Sequence, residues 1–392
     1  MAIRQSMADQ AGPAARDHLA QVFAQYPIEV VSADGVWLDT RDGRRILDLY
    51  GGHAVAALGY GHPRWLAALE HQAGEVLFQS NAVPMEVRRR AAAKLVEFSG
   101  LPLDTVFFVN SGAEANENAL RLACRITGRG HVVAIEESFH GRTAAAAAVT
   151  WGAAGKWYGF PRTPFDVSFV PRRDTTALEA AITKDTAAVI VEPVQGVGGA
   201  FDMGRDFLEA IRLRCQSTGS LLIFDEVQCG VGRTGQPFAA NLYDVFPDML
   251  TTAKALGAGF PVGALLLSPQ IAAGLKLGEL GSTFGGGPLA CAVVEAVIDT
   301  IREENLLQNV RELAAAIRQT CITGPVTGIQ GEGFLLGLKT RVPAKQVQAA
   351  LLERDILTGT SGDPDVLRLL PPFTLAAEHV ALLSRTLAEL PT

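Results

Sequence analysis

The chain has 392 residues, 48% hydrophobic and 19% charged, a composition that buries a sizeable core and excludes global disorder. A formal net charge of −7 and a pI near 5.6 argue against a nucleic-acid binder, which would carry a basic face or arm. Five scattered cysteines without CxxC spacing, and seven histidines without ligand spacing, exclude a disulfide frame or a metal site as the organising feature. Met1 to Asp17 is polar with no signal-type apolar core, and no run approaches a membrane span, so a soluble cytoplasmic protein with no membrane partner is expected.

Residues 1 to about 26 are predicted to hold a helix, with Leu19, Val22 and Phe23 at helical spacing. Residues 28–31 and 36–39 alternate apolar and polar around Ala33-Asp34-Gly35, the pattern of a hairpin, which 45–49 continues after Asp42-Gly43. Gly51-Gly52-His53 and the stretch 58–63 are glycine-rich, suited to a loop that lets backbone approach a ligand and equally to a plain connection. Residues 65–76 and 85–98 read as amphipathic helices.

From Thr105 the rhythm becomes strand, glycine-rich turn, helix. Strands are predicted at 106–110, 131–135, 166–170, 187–192, 221–225, 249–253 and 264–267, with helices at 113–126, 175–183, 205–216 and 288–302. That alternation predicts an α/β fold whose mostly parallel seven-stranded sheet is covered on both faces. Further helices at 306–320 and 344–354, short strands near Val326 and at 334–338 and 366–370, and a last helix make a small α+β domain, which the N-terminal hairpin is expected to join. The expected boundaries are 1–54 for the N-terminal segment, 55–303 for the large domain and 304–392 for the small one.

Ligands of open parallel sheets gather at the carboxyl ends of the strands. Those ends carry Asn110-Ser111-Gly112-Ala113, Glu192-Pro193-Val194-Gln195-Gly196, Asp225-Glu226-Val227-Gln228, and Lys254 before the glycine-rich turn of Gly257 and Gly259. Lysine is seldom buried unless paired or reactive. A desolvated amine there loses its proton and can join an aldehyde as a Schiff base, whereas a lone lysine at a strand end more often reaches water along its stem. Ser111-Gly112-Ala113 opens a helix whose free N–H groups and dipole favour a phosphate, although Ser111 alone is equally an ordinary N-cap. Asp225 ends an apolar strand and needs a cationic partner, for which a protonated pyridine nitrogen is suited; by itself it reads as well as a turn cap. Val227 offers an apolar side chain to one face of such a ring, Gln228 a donor to its phenolic oxygen, and Phe139 a stacking partner for the other face. The set is coherent for pyridoxal phosphate.

Seven stretches carry a resemblance. They are Asn110-Ser111-Gly112-Ala113-Glu114-Ala115-Asn116-Glu117, Phe139-His140-Gly141-Arg142-Thr143, the run 192–196, Asp225-Glu226-Val227-Gln228, Gly232-Arg233-Thr234-Gly235, Ala253-Lys254-Ala255-Leu256-Gly257 and Gly281-Ser282-Thr283-Phe284-Gly285-Gly286. In order and spacing, over about residues 28–373, the chain resembles the class III aminotransferases of fold type I, and among them the acetylornithine aminotransferase branch. The resemblance implies pyridoxal 5'-phosphate as cofactor and an obligate homodimer with active sites at the interface. It implies transfer of the ω-amine of an acylated diamino acid, such as N-acetylornithine, to 2-oxoglutarate in arginine- or lysine-type biosynthesis. Ornithine or 4-aminobutyrate transamination and a glutamate-1-semialdehyde-type aminomutase are the alternatives within the fold; a non-catalytic binding protein on this scaffold would be expected to have lost Lys254.

Residue by residue, the resemblance makes Lys254 the Schiff-base lysine and Asp225 the partner of the pyridine nitrogen. Ser111, Gly112 and Ala113 would bind phosphate, and Phe139, His140, Glu192, Glu226, Val227 and Gln228 would complete the cofactor contacts. Thr283 would reach phosphate or substrate from the neighbouring subunit with Ser282 beside it, and Arg142 and Arg368 would hold substrate carboxylates. Three positions depart from the family pattern: Val197 for a glutamate that pairs with the arginine at position 368 when the donor brings no carboxylate, Gly287 for asparagine, and His53 for an apolar residue.

Overall fold

The computed structural model describes residues 18–391. Residues 1–17 of the predicted first helix lie outside that range, and the described remainder is not helical: residues 18–29 make bends, and Val22 and Phe23 are 73% and 80% exposed. Three apolar residues supply a single turn, too short a nucleus to persist without packing, and Pro27 bars its extension one turn later.

The large sheet has seven strands. In spatial order they are Thr105–Val109, Gly263–Leu267, Met249–Thr252, Leu221–Asp225, Thr186–Val191, His131–Ile135 and Asp166–Val170. All neighbours run parallel except Gly263–Leu267, which is antiparallel to both of its partners. Successive residues of a strand face opposite sides, and both sides are buried here. Val132, Ala134, Ile190 and Ile223 pack with Leu120 and Ala123 of the helix Gly112–Thr127. Val133, Val191, Leu222 and Phe224 pack on the other face with Phe207 and Ile211 of the helix Arg205–Thr218. The helix Pro288–Glu303 crosses Pro63–Glu75 and Glu86–Ser99.

The hairpin forms from Val30–Asp34 and Trp37–Thr40, with its turn at Gly35-Val36, slightly later than the alternation suggests. Arg45–Asp48 adds antiparallel, and Ile356–Leu357 from the far end of the chain pairs parallel with it. Val326–Glu332, Leu335–Thr340, Val366–Leu369 and Gly359–Thr360 form another antiparallel sheet. Leu370 N donates to Leu49 O at 2.7 Å, joining the strand that carries Arg368 to the turn at residues 50–54. A two-residue ribbon, Val194–Gln195 with Phe201–Asp202, follows the Glu192 strand end. Among the described residues no helix is long and apolar enough to cross a membrane.

Candidate active site

The carboxyl ends of the parallel strands converge on a cavity of about 500 Å³. Lys254 stands two residues past the end of Met249–Thr252, in a left-handed backbone conformation (φ 47°) that opens a single 3₁₀ turn. A non-glycine residue held there is mildly strained, a condition that clusters at working sites. Burial pushes the Lys254 amine below the usual lysine range, and the nearby Asp225 and Glu192 carboxylates oppose that shift.

Asp225, 3% exposed, is held on three sides. Its Oδ2 is 2.7 Å from His140 Nδ1 and accepts from Asn116 Nδ2 at 2.7 Å, while Oδ1 accepts from the Val227 amide at 3.0 Å. Asn116 is fixed in turn: its amide also donates to His140 O at 2.7 Å, and its Oδ1 accepts from Thr251 Oγ1 at 2.6 Å. Glu192 accepts from the Phe139 amide at 2.9 Å and the Gly196 amide at 3.1 Å, and burial raises its carboxyl above the ordinary range.

The helix Gly112–Thr127 points its first turn into the cavity. Ser111 caps it by accepting from the Glu114 amide at 3.2 Å, and the N–H groups of Gly112 and Ala113 have no acceptor among the described residues. A Cβ at position 112 would stand 2.6 Å from Val227 Cγ1, so only glycine lets the helix start approach that side chain.

Of the residues singled out in the sequence, Ser111, Gly112, Ala113, Phe139, His140, Arg142, Glu192, Asp225, Val227, Gln228 and Lys254 line this one cavity. Arg142 is exposed, its guanidinium 4.3 Å from the centre of the Trp157 ring, a cation–π contact. Arg368 lies just behind the wall, 4% exposed, with Nη1 at 3.5 Å from Gln228 Oε1 and Nε donating to Thr360 O at 2.7 Å. Glu226 is elsewhere: fully buried, it accepts from the amides of Ala239 and Ala240 and does not line the cavity. Thr283 is exposed and also off the cavity of its own chain; Ser282 Oγ is 3.3 Å from Asn110 Nδ2.

Sequence reasoning missed Asn116, Thr251 and Trp157 as supporting residues. Asn116 stands four residues after Gly112 on the same helix face, and Thr251 is the register partner of Asp225. The helical spacing was available in the sequence; the register was not.

The residues present fit pyridoxal phosphate: an N–H cradle for the phosphate, a carboxylate for the ring nitrogen, Val227 and Phe139 for the ring faces, and a deprotonatable amine.

Comparisons with known proteins agree with this chemistry. The family model for aminotransferase class-III matches residues 20–390. The chain is similar to the acetylornithine aminotransferase of Agrobacterium fabrum, 40% identical over 391 residues that span 95% of this chain and 94% of the relative. Among solved structures, the ornithine aminotransferase from Toxoplasma gondii, with partial occupancy of PLP at its active site, superposes with a TM-score of 0.89 at 29% identity, covering 95% of this chain and 91% of that one. The acetylornithine aminotransferase from Elizabethkingia anophelis gives 0.84 at 29% identity, covering 95% and 96%.

Proposed function

The chain belongs to the class-III aminotransferases, and from that premise we infer that it moves the ω-amine of an acylated diamino acid such as N-acetylornithine to 2-oxoglutarate. One observation carries the substrate reading: two guanidinium groups, Arg142 and Arg368, border the Lys254 cavity, and neither forms an ion pair among the described residues. Cations placed so call for carboxylate ligands, and the family relatives direct the choice of donor.

Pyridoxal phosphate, when bound, supplies an electron sink that stabilises the charge left on carbon once a proton departs. Lys254 would hold it through Nζ, Gly112 and Ala113 would hold its phosphate through their N–H groups, and Asp225 would keep its ring nitrogen protonated. His140 and Asn116 keep Asp225 aimed at the cavity. Freed once the donor amine takes its place, Lys254 Nζ, its pKa lowered by burial, would take the proton from the substrate carbon and carry it along the same face to the carbon that Nζ had held. Arg142 holds the distal carboxylate of the donor, and Arg368 the carboxylate beside the reacting carbon of glutamate and 2-oxoglutarate. Thr283, with Ser282, serves the site of a second copy in a homodimer; the exposed Phe78–Phe284 pair beside it, ring centres 5.2 Å apart, supports that reading. The pairing of Ile356–Leu357 with Arg45–Asp48 supports treating residues 1–54 and 304–392 as one small unit against 55–303.

A panel of N-acylated and free diamino acids, assayed with 2-oxoglutarate and ranked by kcat/KM, tests the donor. N-acetylornithine is expected to exceed free ornithine and 4-aminobutyrate by about tenfold or more; the reverse order would assign a different donor. Borohydride reduction of the loaded protein is expected to mark the peptide containing Lys254, and a mark elsewhere would remove the residue assignment.

A further inference from the structure

Arg368 is a buried cation in an unusual setting. It is 4% exposed, it has no carboxylate within ion-pair distance among the described residues, and burial lowers its pKa. The buried acids near the cavity are already committed: Glu192 to two amides, Asp225 to His140, Asn116 and an amide, Glu226 to a helix N-terminus. At position 197, on the cavity wall, stands valine.

What surrounds Arg368 instead is neutral and closed on itself. The guanidinium carbon lies 5.9 Å from the centre of the Tyr50 ring. The Tyr50 hydroxyl is hydrogen-bonded to His53 Nδ1 at 2.5 Å, and the two rings sit 4.7 Å apart. The His53 carbonyl accepts from Gln228 Nε2 at 3.2 Å, and Gln228 Oε1 faces Arg368 Nη1, which returns the circuit to its start. The circuit is held rigidly. Gly51, Gly52, His53 and Ala54 all have positive φ, and a Cβ at Gly51 would stand 2.8 Å from Leu370 O, two residues beyond Arg368. Histidine tolerates this left-handed region better than most residues with a side chain, and its Nδ1 there falls within reach of the tyrosine hydroxyl.

We propose that Tyr50 and His53 are positioning residues that fix carboxylate specificity at Arg368, a neutral clamp that aims the guanidinium without cancelling its charge. An acid in that place would compete with the ligand for the cation. The Tyr50 face and the Gln228 amide orient it and leave its charge for a carboxylate brought by the substrate. The clamp therefore favours glutamate and 2-oxoglutarate, whose carboxylate lies beside the reacting carbon, and acts on that half of the reaction and not on the ω-amine donor. It rests on the reading of Arg368 as the ligand for that carboxylate.

The test uses the loaded enzyme and glutarate, a dicarboxylate that cannot react, with binding followed by calorimetry, alongside kcat and KM for 2-oxoglutarate. His53→Ala and Tyr50→Phe are each expected to weaken glutarate about tenfold and to raise KM for 2-oxoglutarate by a similar factor, with kcat changing less than about twofold. Because the two side chains act as one unit, the double variant should lose no more than either single one. His53→Asn, whose amide reaches the place of Nδ1 and suits positive φ, should restore most of the affinity. Variants that bind glutarate like the parent, or losses confined to kcat, would overturn the clamp and leave the proposed reaction standing. A parent enzyme that transfers amine yet does not bind glutarate would overturn both the clamp and the role given to Arg368.

Discussion

Asp225 and Glu226 are adjacent in the chain and meet opposite environments, because neighbouring side chains of an extended segment point apart. Asp225 turns to the cavity among donors; Glu226 turns inward to the amides of Ala239 and Ala240, at 2.6 and 2.8 Å. Burial, which disfavours the charged form, pushes the Glu226 carboxyl up to about 8 despite those bonds. The folded protein therefore holds this proton more tightly than the unfolded chain does. The associated stability is fully present below the ordinary carboxyl range and is lost as pH rises through about 8. Glu226→Gln should flatten the decline in Tm between about pH 5 and pH 9, at a cost of about 1–2 kcal/mol for the weakened acceptor. Parallel Tm–pH curves for parent and variant would show that this carboxyl is ionised throughout. The Asp-Glu-Val-Gln motif marks both acids in the sequence, yet only the direction of each side chain separates the one that lines the cavity from the one that ties down a helix.

The helix Gly112–Thr127 joins sequence to site most directly. Serine before glycine announces its start, and the left-handed Gly128 ends it. Contact with Val227 across the cavity floor makes glycine necessary at 112, a demand that no local rule states. Gly112→Ala should force the helix start away from Val227 and weaken retention of pyridoxal phosphate by about tenfold or more, read as the dissociation constant in an absorbance titration; an unchanged constant would mean that the cradle tolerates the methyl group. The strands of the large sheet were legible nearly to the residue, since most are largely apolar runs bounded by glycine or a polar turn. The ribbon Val194–Gln195 with Phe201–Asp202 was not, because two residues carry no periodicity. Over its described residues, 18–26, the predicted first helix did not form, for the opposite reason: a helical spacing was present there, but over one turn only.

At the scale of the molecule, the proposed homodimer, with Thr283 serving the partner's site, makes a prediction that a single chain cannot fulfil. Lys254→Ala and Thr283→Asp should each be inactive alone. Mixed and allowed to exchange subunits, they should regain about a quarter of parent activity, because half of the dimers are hybrids with one intact site; no recovery after verified exchange would place Thr283 outside the site. Composition, motif spacing and apolar period by themselves determined the α/β class, the converging strand ends and the chemistry offered there, since these depend on neighbours within a few residues of the chain. Tertiary structure alone decided which groups meet: Thr251 Oγ1 on Asn116, 135 residues away, and the circuit that runs from Tyr50 through His53 and Gln228 to Arg368. Such contacts are chosen by which buried polar groups lack another partner once the layers have packed, and burial is a property of the whole fold.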